Sequence, residues 1–228
     1  MYPYQMSEIN SKLYFTQQTL KRLTGKNTSF VEINDFYLKL FTELKYKKTL
    51  MIAGSQGSGK STLSILIKKF FHKFYSKNVV VLSIDDFYLS SFERKKLAKK
   101  FKSNLFETRG VPGTHNFKLL YETIDKLKRK KFPVYIPTFD KVADNTNKYK
   151  KKINKADLII LEGWCVGSKT IDYKYLVNNI NELEKKKDPK LIWRIAYNSA
   201  LDDYQKIFRK FNYFLFIKFP NWKYVINW

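Results

Sequence analysis

A single cysteine, Cys165, stands in this chain of 228 residues, which excludes an internal disulfide and any metal site built from cysteine alone, and fits a reducing compartment. Histidine is nearly as scarce, with His72 and His115 as the only two. Long apolar runs are absent as well. Nothing between Met1 and Phe15 has the length of a secretory leader, and no later stretch reaches that of a membrane span, so a cytoplasmic protein with no membrane partner is expected. Acidic residues are few, 20 against 44 basic ones, for a formal net charge of +24. Arginine is short even within that excess, limited to Arg22, Arg94, Arg109, Arg129, Arg194 and Arg209.

The surplus charge is therefore lysine, concentrated in runs at Lys95 to Lys102, Lys126 to Lys131, Lys148 to Lys155 and Lys185 to Lys190. Such runs are expected on helix faces and linkers, where they solvate a surface. Nucleic-acid binding needs a clustered face rather than a high count, so no nucleic-acid partner is expected. A positive field still draws anionic small molecules and ATP. What the chain does have is core material: 44% of residues are hydrophobic and 17% aromatic, enough for one well-buried α/β domain of this length.

The most informative segment is Gly54 to Ser61, G-S-Q-G-S-G-K-S, a full match to the phosphate-binding loop G-x-x-x-x-G-K-[ST]. Thr49 to Ala53 before it form a short apolar run suited to a buried parallel strand. Leu63, Ile65, Leu66, Ile67, Phe70, Phe71 and Phe74 after it recur at helical spacing. A strand, a glycine-rich turn and a helix in that order bring successive backbone N–H groups and a positive helix end onto one anion. Gly54, Ser55, Gln56, Gly57, Ser58, Gly59, Lys60, Ser61 and Thr62 are accordingly the nucleotide-binding candidates. Lys60 is expected on the β- and γ-phosphates, and Ser61 on the magnesium ion that accompanies ATP.

The rest of the chain reads as alternating elements. Helical periodicity covers about Glu8 to Leu44, with a break around Gly25 to Thr28. Further strands are expected at Asn78 to Ile84, Val134 to Pro137, Asp157 to Leu161 and Tyr213 to Phe219, and helices at Phe92 to Lys100, Phe117 to Lys131, Tyr173 to Lys186 and Ser199 to Phe211. This predicts a doubly wound, mostly parallel α/β sheet of the P-loop NTPase type. Residues 1–45 are expected as a helical lead-in packed on a kinase domain at 46–228.

In such a sheet ligands gather at the carboxyl ends of the strands. Asp85 and Asp86 follow one strand there, and Glu162 follows another. Phosphoryl transfer to a hydroxyl needs one carboxylate to take the acceptor's proton and another to organise magnesium. Asp85 is the candidate base, Glu162 the candidate magnesium residue, and Asp86 either a functional group or a turn residue. Asp157, before its strand, reads as structural. The shape-restricted loop Thr108 to His115, T-R-G-V-P-G-T-H, brings Arg109, whose planar guanidinium suits a carboxylate or phosphate. His72, among lysines and aromatics on a helix, reads as incidental.

The order G-S-Q-G-S-G-K-S-T, S-I-D-D-F-Y-L, R-G-V-P-G-T-H, P-T-F-D-K, L-E-G-W-C-V-G resembles the D-glycerate 3-kinase family, one of the P-loop kinases grouped with phosphoribulokinase, uridine kinase and pantothenate kinase. The resemblance spans roughly Leu50 to Trp228. It implies transfer of the γ-phosphoryl group of ATP, with Mg2+, to a hydroxyl of D-glycerate. Asp85 would be the base, and Asp85 with Glu162 and Ser61 would form the magnesium site. Asp86, Tyr88, Arg109, His115, Asp140 and Lys141 would lie on the acceptor side, with Arg109 paired to the glycerate carboxylate. After P-T-F-D-K the chain reads V-A-D-N-T-N-K-Y-K-K where the family carries an arginine, and lysines are expected to stand in. The chain stops where relatives continue into a helical lid, so a missing lid is expected. Uridine, pantothenate and ribulose-phosphate acceptors remain alternatives, as does a P-loop ATPase working on nucleic acid.

Overall fold

The computed structural model describes residues 3–218. In chain order it contains helix α1 (Pro3–Thr24), a helical run made of α2 (Phe30–Glu32), a π-helical segment Ile33–Leu38 and α3 (Lys39–Leu44), then strand β1 (Thr49–Gly54) and α4 (Lys60–Tyr75). There follow β2 (Val79–Ser83), α5 (Ser91–Phe101), α6 (Phe117–Lys128), β3 (Val134–Asp140), β4 (Asn145–Ile153) and β5 (Leu158–Gly163). The last elements are α7 (Tyr173–Leu176), α8 (Glu182–Lys187), α9 (Ile192–Phe208) and β6 (Phe214–Ile217). Among the described residues no helix is long and apolar enough to cross a membrane. The chain divides into two compact units, one of residues up to Val81, Lys155–Glu162 and those from Asn212 onward, the other of Leu82–Asn154 and Gly163–Phe211.

The first unit is organised by a mostly parallel sheet in the order β2-β5-β1-β6, as the strand and helix alternation predicts. T-L-M-I-A-G and L-I-I-L-E-G are buried along their whole lengths, because central strands covered on both faces need near-continuous apolar runs. β6 lies parallel to β1, from Met51 opposite Phe214 to Gly54 opposite Ile217. The apolar stripe of α4, including Leu66, Ile67 and Phe70, shares one core with Leu13 and Leu20 of α1, with Ile33, Phe41 and Leu44, and with Leu50 and Ile52 of β1. Phe41 and Phe70 meet with ring centroids 4.3 Å apart, and each such buried ring contributes about 1.5–3 kcal/mol. Asp157 is structural, as expected: its Oδ2 accepts from the backbone N–H and the side-chain amide of Asn78, both at 2.8 Å.

Four expectations are corrected. Lys148 to Lys155, expected on a helix face or linker, fall largely on β4, which pairs antiparallel with β3 from Val134 opposite Ile153 to Asp140 opposite Asn145. β3 and β4 form a sheet of their own, so β3 is no member of the parallel sheet. Eight of the nine β4 residues are exposed, which leaves no alternation for a period-2 pattern to reveal. The helix expected from Tyr173 to Lys186 is two, α7 and α8, and the one expected from Ser199 begins at Ile192. Of the last expected strand, Phe214–Ile217 is formed, while Phe219 and the rest of F-P-N-W-K-Y-V-I-N-W lie outside the described residues.

The break between α7 and α8 has a cause in Arg194, which is 2% exposed. Its Nη1 donates to the carbonyls of Leu176 (2.8 Å) and Asn178 (3.2 Å), its Nη2 to Asn179 Oδ1 (2.7 Å), and its Nε to Asp188 Oδ2 (3.0 Å). These bonds give carbonyls at the break a buried partner where the helical ladder stops. Glu184 and Asp188 are themselves buried beside it. Arg194→Leu would strand both carboxylates, and urea unfolding is expected to register a loss of about 3–5 kcal/mol; an unmoved midpoint would mean that the network is dispensable.

Candidate active site

β1 ends on Gly54 and α4 starts on Lys60, so the octapeptide is the strand-to-helix turn that its spacing predicts. A Cβ on Gly54 would sit 2.7 Å from the carbonyl oxygen of Ile217 and 2.7 Å from Ser58 Oγ; glycine is what lets β6 lie against this corner. Gly59 caps α4 in the left-handed region at φ +87°, a conformation open to glycine without strain. Ser58 N–H donates to the Ser55 carbonyl at 3.2 Å, and the first helical bond follows from Leu63 N–H to Gly59 at 2.9 Å.

Lys60, 8% exposed, spans the loop and donates from Nζ to the Ser55 carbonyl at 2.7 Å. Ser61 Oγ donates to Glu162 Oε1 at 3.1 Å. Glu162 closes β5 and is 6% exposed, so the motif hydroxyl and a buried carboxylate meet although they lie 101 positions apart. Two hard oxygen donors side by side are what a magnesium ion accompanied by phosphate oxygens takes from a protein. Gln56 and Gly57 form the exposed tip, with Ser55, Ser58 and Thr62 half-buried. Ser58 Oγ is buried and has no hydrogen-bond partner among the described residues, a donor that suits a phosphate oxygen.

The second unit brings the acceptor-side candidates together by backbone pairing. Tyr88 and His115 form an antiparallel bridge, flanked by Leu89 N–H to the Thr114 carbonyl at 2.9 Å and Asn116 N–H to the Phe87 carbonyl at 2.7 Å. The D-D-F-Y and R-G-V-P-G-T-H motifs are thereby joined. Their rings stack with centroids 4.2 Å apart at 20°. Burial, and then the nearby Asp85 charge, push the Tyr88 phenol well above its ordinary range. Burial pushes His115 down to about 3, with Asp85 opposing it, so the imidazole is neutral near pH 7.

Its Nδ1 is held by Tyr204. Gly113 N–H donates to the Tyr204 hydroxyl oxygen at 3.1 Å, and the same hydroxyl lies 2.6 Å from His115 Nδ1. The other ring nitrogen, Nε2, is buried without a hydrogen-bond partner among the described residues.

Asp85 is engaged by Lys141, Nζ to Oδ2 at 3.1 Å. Asp86 Oδ1 accepts from Phe139 N–H at 3.4 Å, and burial raises its carboxyl above the usual range. Asp140 serves its own turn, accepting from the N–H groups of Val142 and Ala143 at 2.9 Å each. Arg109 donates from Nη1 to Asp144 and lies over the Phe139 ring at 5.6 Å. Asp144 also takes Nη2 of Arg94, a fully buried side chain whose Nη1 and Nε go to the carbonyls of Leu89 (2.6 Å) and Glu107 (2.9 Å). His72 is exposed on α4, as an incidental residue would be.

Three participants have no role in the sequence reading. Asp144 anchors both arginines from a hairpin turn, at φ +49°, and only folding reveals that position. Trp164, in the quoted E-G-W motif, donates from Nε1 to the Gly110 carbonyl at 3.2 Å; its motif was a signal. Tyr204 reaches His115 from α9, and in sequence it is one more aromatic on a helical stripe.

Residues 49–205 match the phosphoribulokinase / uridine kinase family. The probable ATP-dependent kinase TDA10 of Saccharomyces cerevisiae is 37% identical over 152 residues, which is 60% of this chain and 52% of that protein. The chloroplastic D-glycerate 3-kinase of Arabidopsis thaliana is 30% identical over 190 residues, 76% of this chain and 38% of that one. This chain thus spans about half the length of the first of these relatives and less of the second. Among solved structures, the D-glycerate 3-kinase of Cryptococcus neoformans var. grubii superposes with a TM-score of 0.68 at 22% identity, over 97% of this chain and 76% of that one, which is a likeness of fold. A phosphate loop seated between β1 and α4, a buried carboxylate on its serine and a family match over well over half of the residues lead to one conclusion: this chain belongs to the phosphoribulokinase / uridine kinase family.

Proposed function

We propose that this chain is a small-molecule kinase that transfers the γ-phosphoryl group of ATP to a hydroxyl of D-glycerate. The observation that carries the kinase reading is the phosphate loop with Ser61 donating to the buried Glu162. Lys60 would leave the Ser55 carbonyl for the β- and γ-phosphate oxygens, countering charge that spreads over them as the bond to ADP loosens. Ser61 and Glu162 are the residues that would hold magnesium, and Asp85 a further candidate. Magnesium supplies neutralisation of the phosphate charge and fixes the phosphates in place.

On the acceptor side Asp85 takes the proton of the attacking hydroxyl, a new oxygen–phosphorus bond forms, and ADP departs with the electrons of the broken one. Glycerate is favoured as acceptor by the ordered motifs and by the Arabidopsis relative. Its carboxylate would find N–H groups of Arg109, of which Nη1 is held by Asp144, and Nε2 of neutral His115 in the tautomer that carries the proton there. Lys141 beside Asp85 keeps positive charge near the incoming anion.

The test is ADP formation by purified protein with ATP and magnesium, against D-glycerate, uridine, pantothenate, ribulose 5-phosphate and single-stranded DNA. Turnover that depends on D-glycerate is expected. Turnover with uridine or pantothenate alone would replace the acceptor, and stimulation by DNA with a steep salt dependence would replace the class of reaction.

A further inference from the structure

We propose that the N-terminal helices hold the nucleobase of the bound nucleotide, with Phe36 as its stacking surface. The proposal rests on the reading of Gly54 to Thr62 as a phosphate site, and it concerns residues outside the stretch 49–205 that the family matches.

The first unit contains a cavity of about 650 Å³, within the roughly 300–1,000 Å³ range of small-molecule pockets. One wall is the phosphate loop and the first turn of α4, through Gly59 and Thr62. The facing wall comes from the N-terminal helices, through Leu20, Leu23, Phe36 and Tyr37. A nucleotide with its phosphates in the loop must send its ribose and base to one side of that loop, and this cavity is lined by the loop itself. An apolar, partly aromatic wall suits the flat face of a base.

Phe36 is the residue whose placement calls for a ligand. It is 51% exposed, while Ile33, Leu40, Phe41 and Leu44 of the same helical run are buried. Tyr37 meets it at 5.0 Å and 81°, an edge-to-face contact that fixes the ring. Both lie in the π-helical segment Ile33–Leu38, whose wider turn shifts the register between two α-helical stretches. Turns of this kind recur at functional sites because they aim a side chain that a regular helix would turn elsewhere. The rim is preformed too, since Gln17 Nε2 holds the carbonyl of Thr28 at 2.9 Å across the α1–α2 connection.

Stacking of a base on one aromatic ring changes affinity by roughly 5- to 150-fold, whereas inorganic tripolyphosphate, which has no base, is blind to it. The experiment is calorimetric titration of the wild type, Phe36→Ala and Phe36→Trp with ATP and with tripolyphosphate, both with magnesium. Phe36→Ala is expected to weaken ATP about 10-fold and to leave tripolyphosphate unchanged, with Phe36→Trp restoring ATP affinity. ATP bound as tightly by Phe36→Ala as by the wild type overturns the proposal, and so does equal weakening of both ligands, which would mean that Phe36 acts on the loop. A wild type that binds neither ligand removes the phosphate-loop reading itself, and the base site with it.

Discussion

Lys60→Ala is expected to reduce ATP turnover by about 10²–10³-fold, the loss that follows removal of one preorganised charge from a phosphoryl-transfer site. The fold should survive. Lys60 makes its 2.7 Å bond to the Ser55 carbonyl from the edge of α4, and losing one such bond costs about 1 kcal/mol. That corresponds to a shift in Tm of roughly 2–4 °C for a chain of this size. Turnover and thermal melting measured on the same preparation separate the two effects. Undiminished turnover in a folded variant would sink the kinase assignment at its root.

Asp85→Asn carries the second large expected effect, a fall in turnover of about 10²–10⁴-fold, far greater than any loss of ATP affinity. Asparagine keeps the shape of the side chain and cannot take a proton. Asp85 belongs to the second unit, where it is paired with Lys141 at 3.1 Å and its charge acts on Tyr88 and His115. A base there should alter the chemical step far more than nucleotide binding. Calorimetric ATP titration beside steady-state kinetics checks this, and parallel losses in binding and turnover from a folded variant would remove Asp85 from the role of base and make it a nucleotide or magnesium residue instead.

How far the sequence could be read depended on how local each feature is. The strand, loop and helix from Thr49 to Tyr75 are contiguous, and their glycine positions and apolar spacing are written within one stretch. β2 and β5 were legible as continuous apolar runs, which central strands require. β4 was not, because N-T-N-K-Y-K-K-K-I keeps both faces in solvent and is held as a strand by its ladder to β3. The α7–α8 break was hidden for another reason. It depends on the carbonyls of Leu176 and Asn178 being claimed by Arg194, from a helix further along the chain.

The sequence by itself therefore determined the family, the alternation of strands and helices, and the strand–loop–helix order around Gly54 to Ser61, since each of these is carried by spacing over a few residues. Tertiary structure decided who meets whom. It set Ser61 against Glu162, aligned Tyr88 with His115, brought the Tyr204 hydroxyl to Nδ1 while Nε2 stayed without a hydrogen-bond partner among the described residues, and committed Nη1 of Arg109 to Asp144. The physical reason is that hydrogen bonds and ring contacts act over a few ångströms in space, and only the folded backbone brings distant positions within that reach.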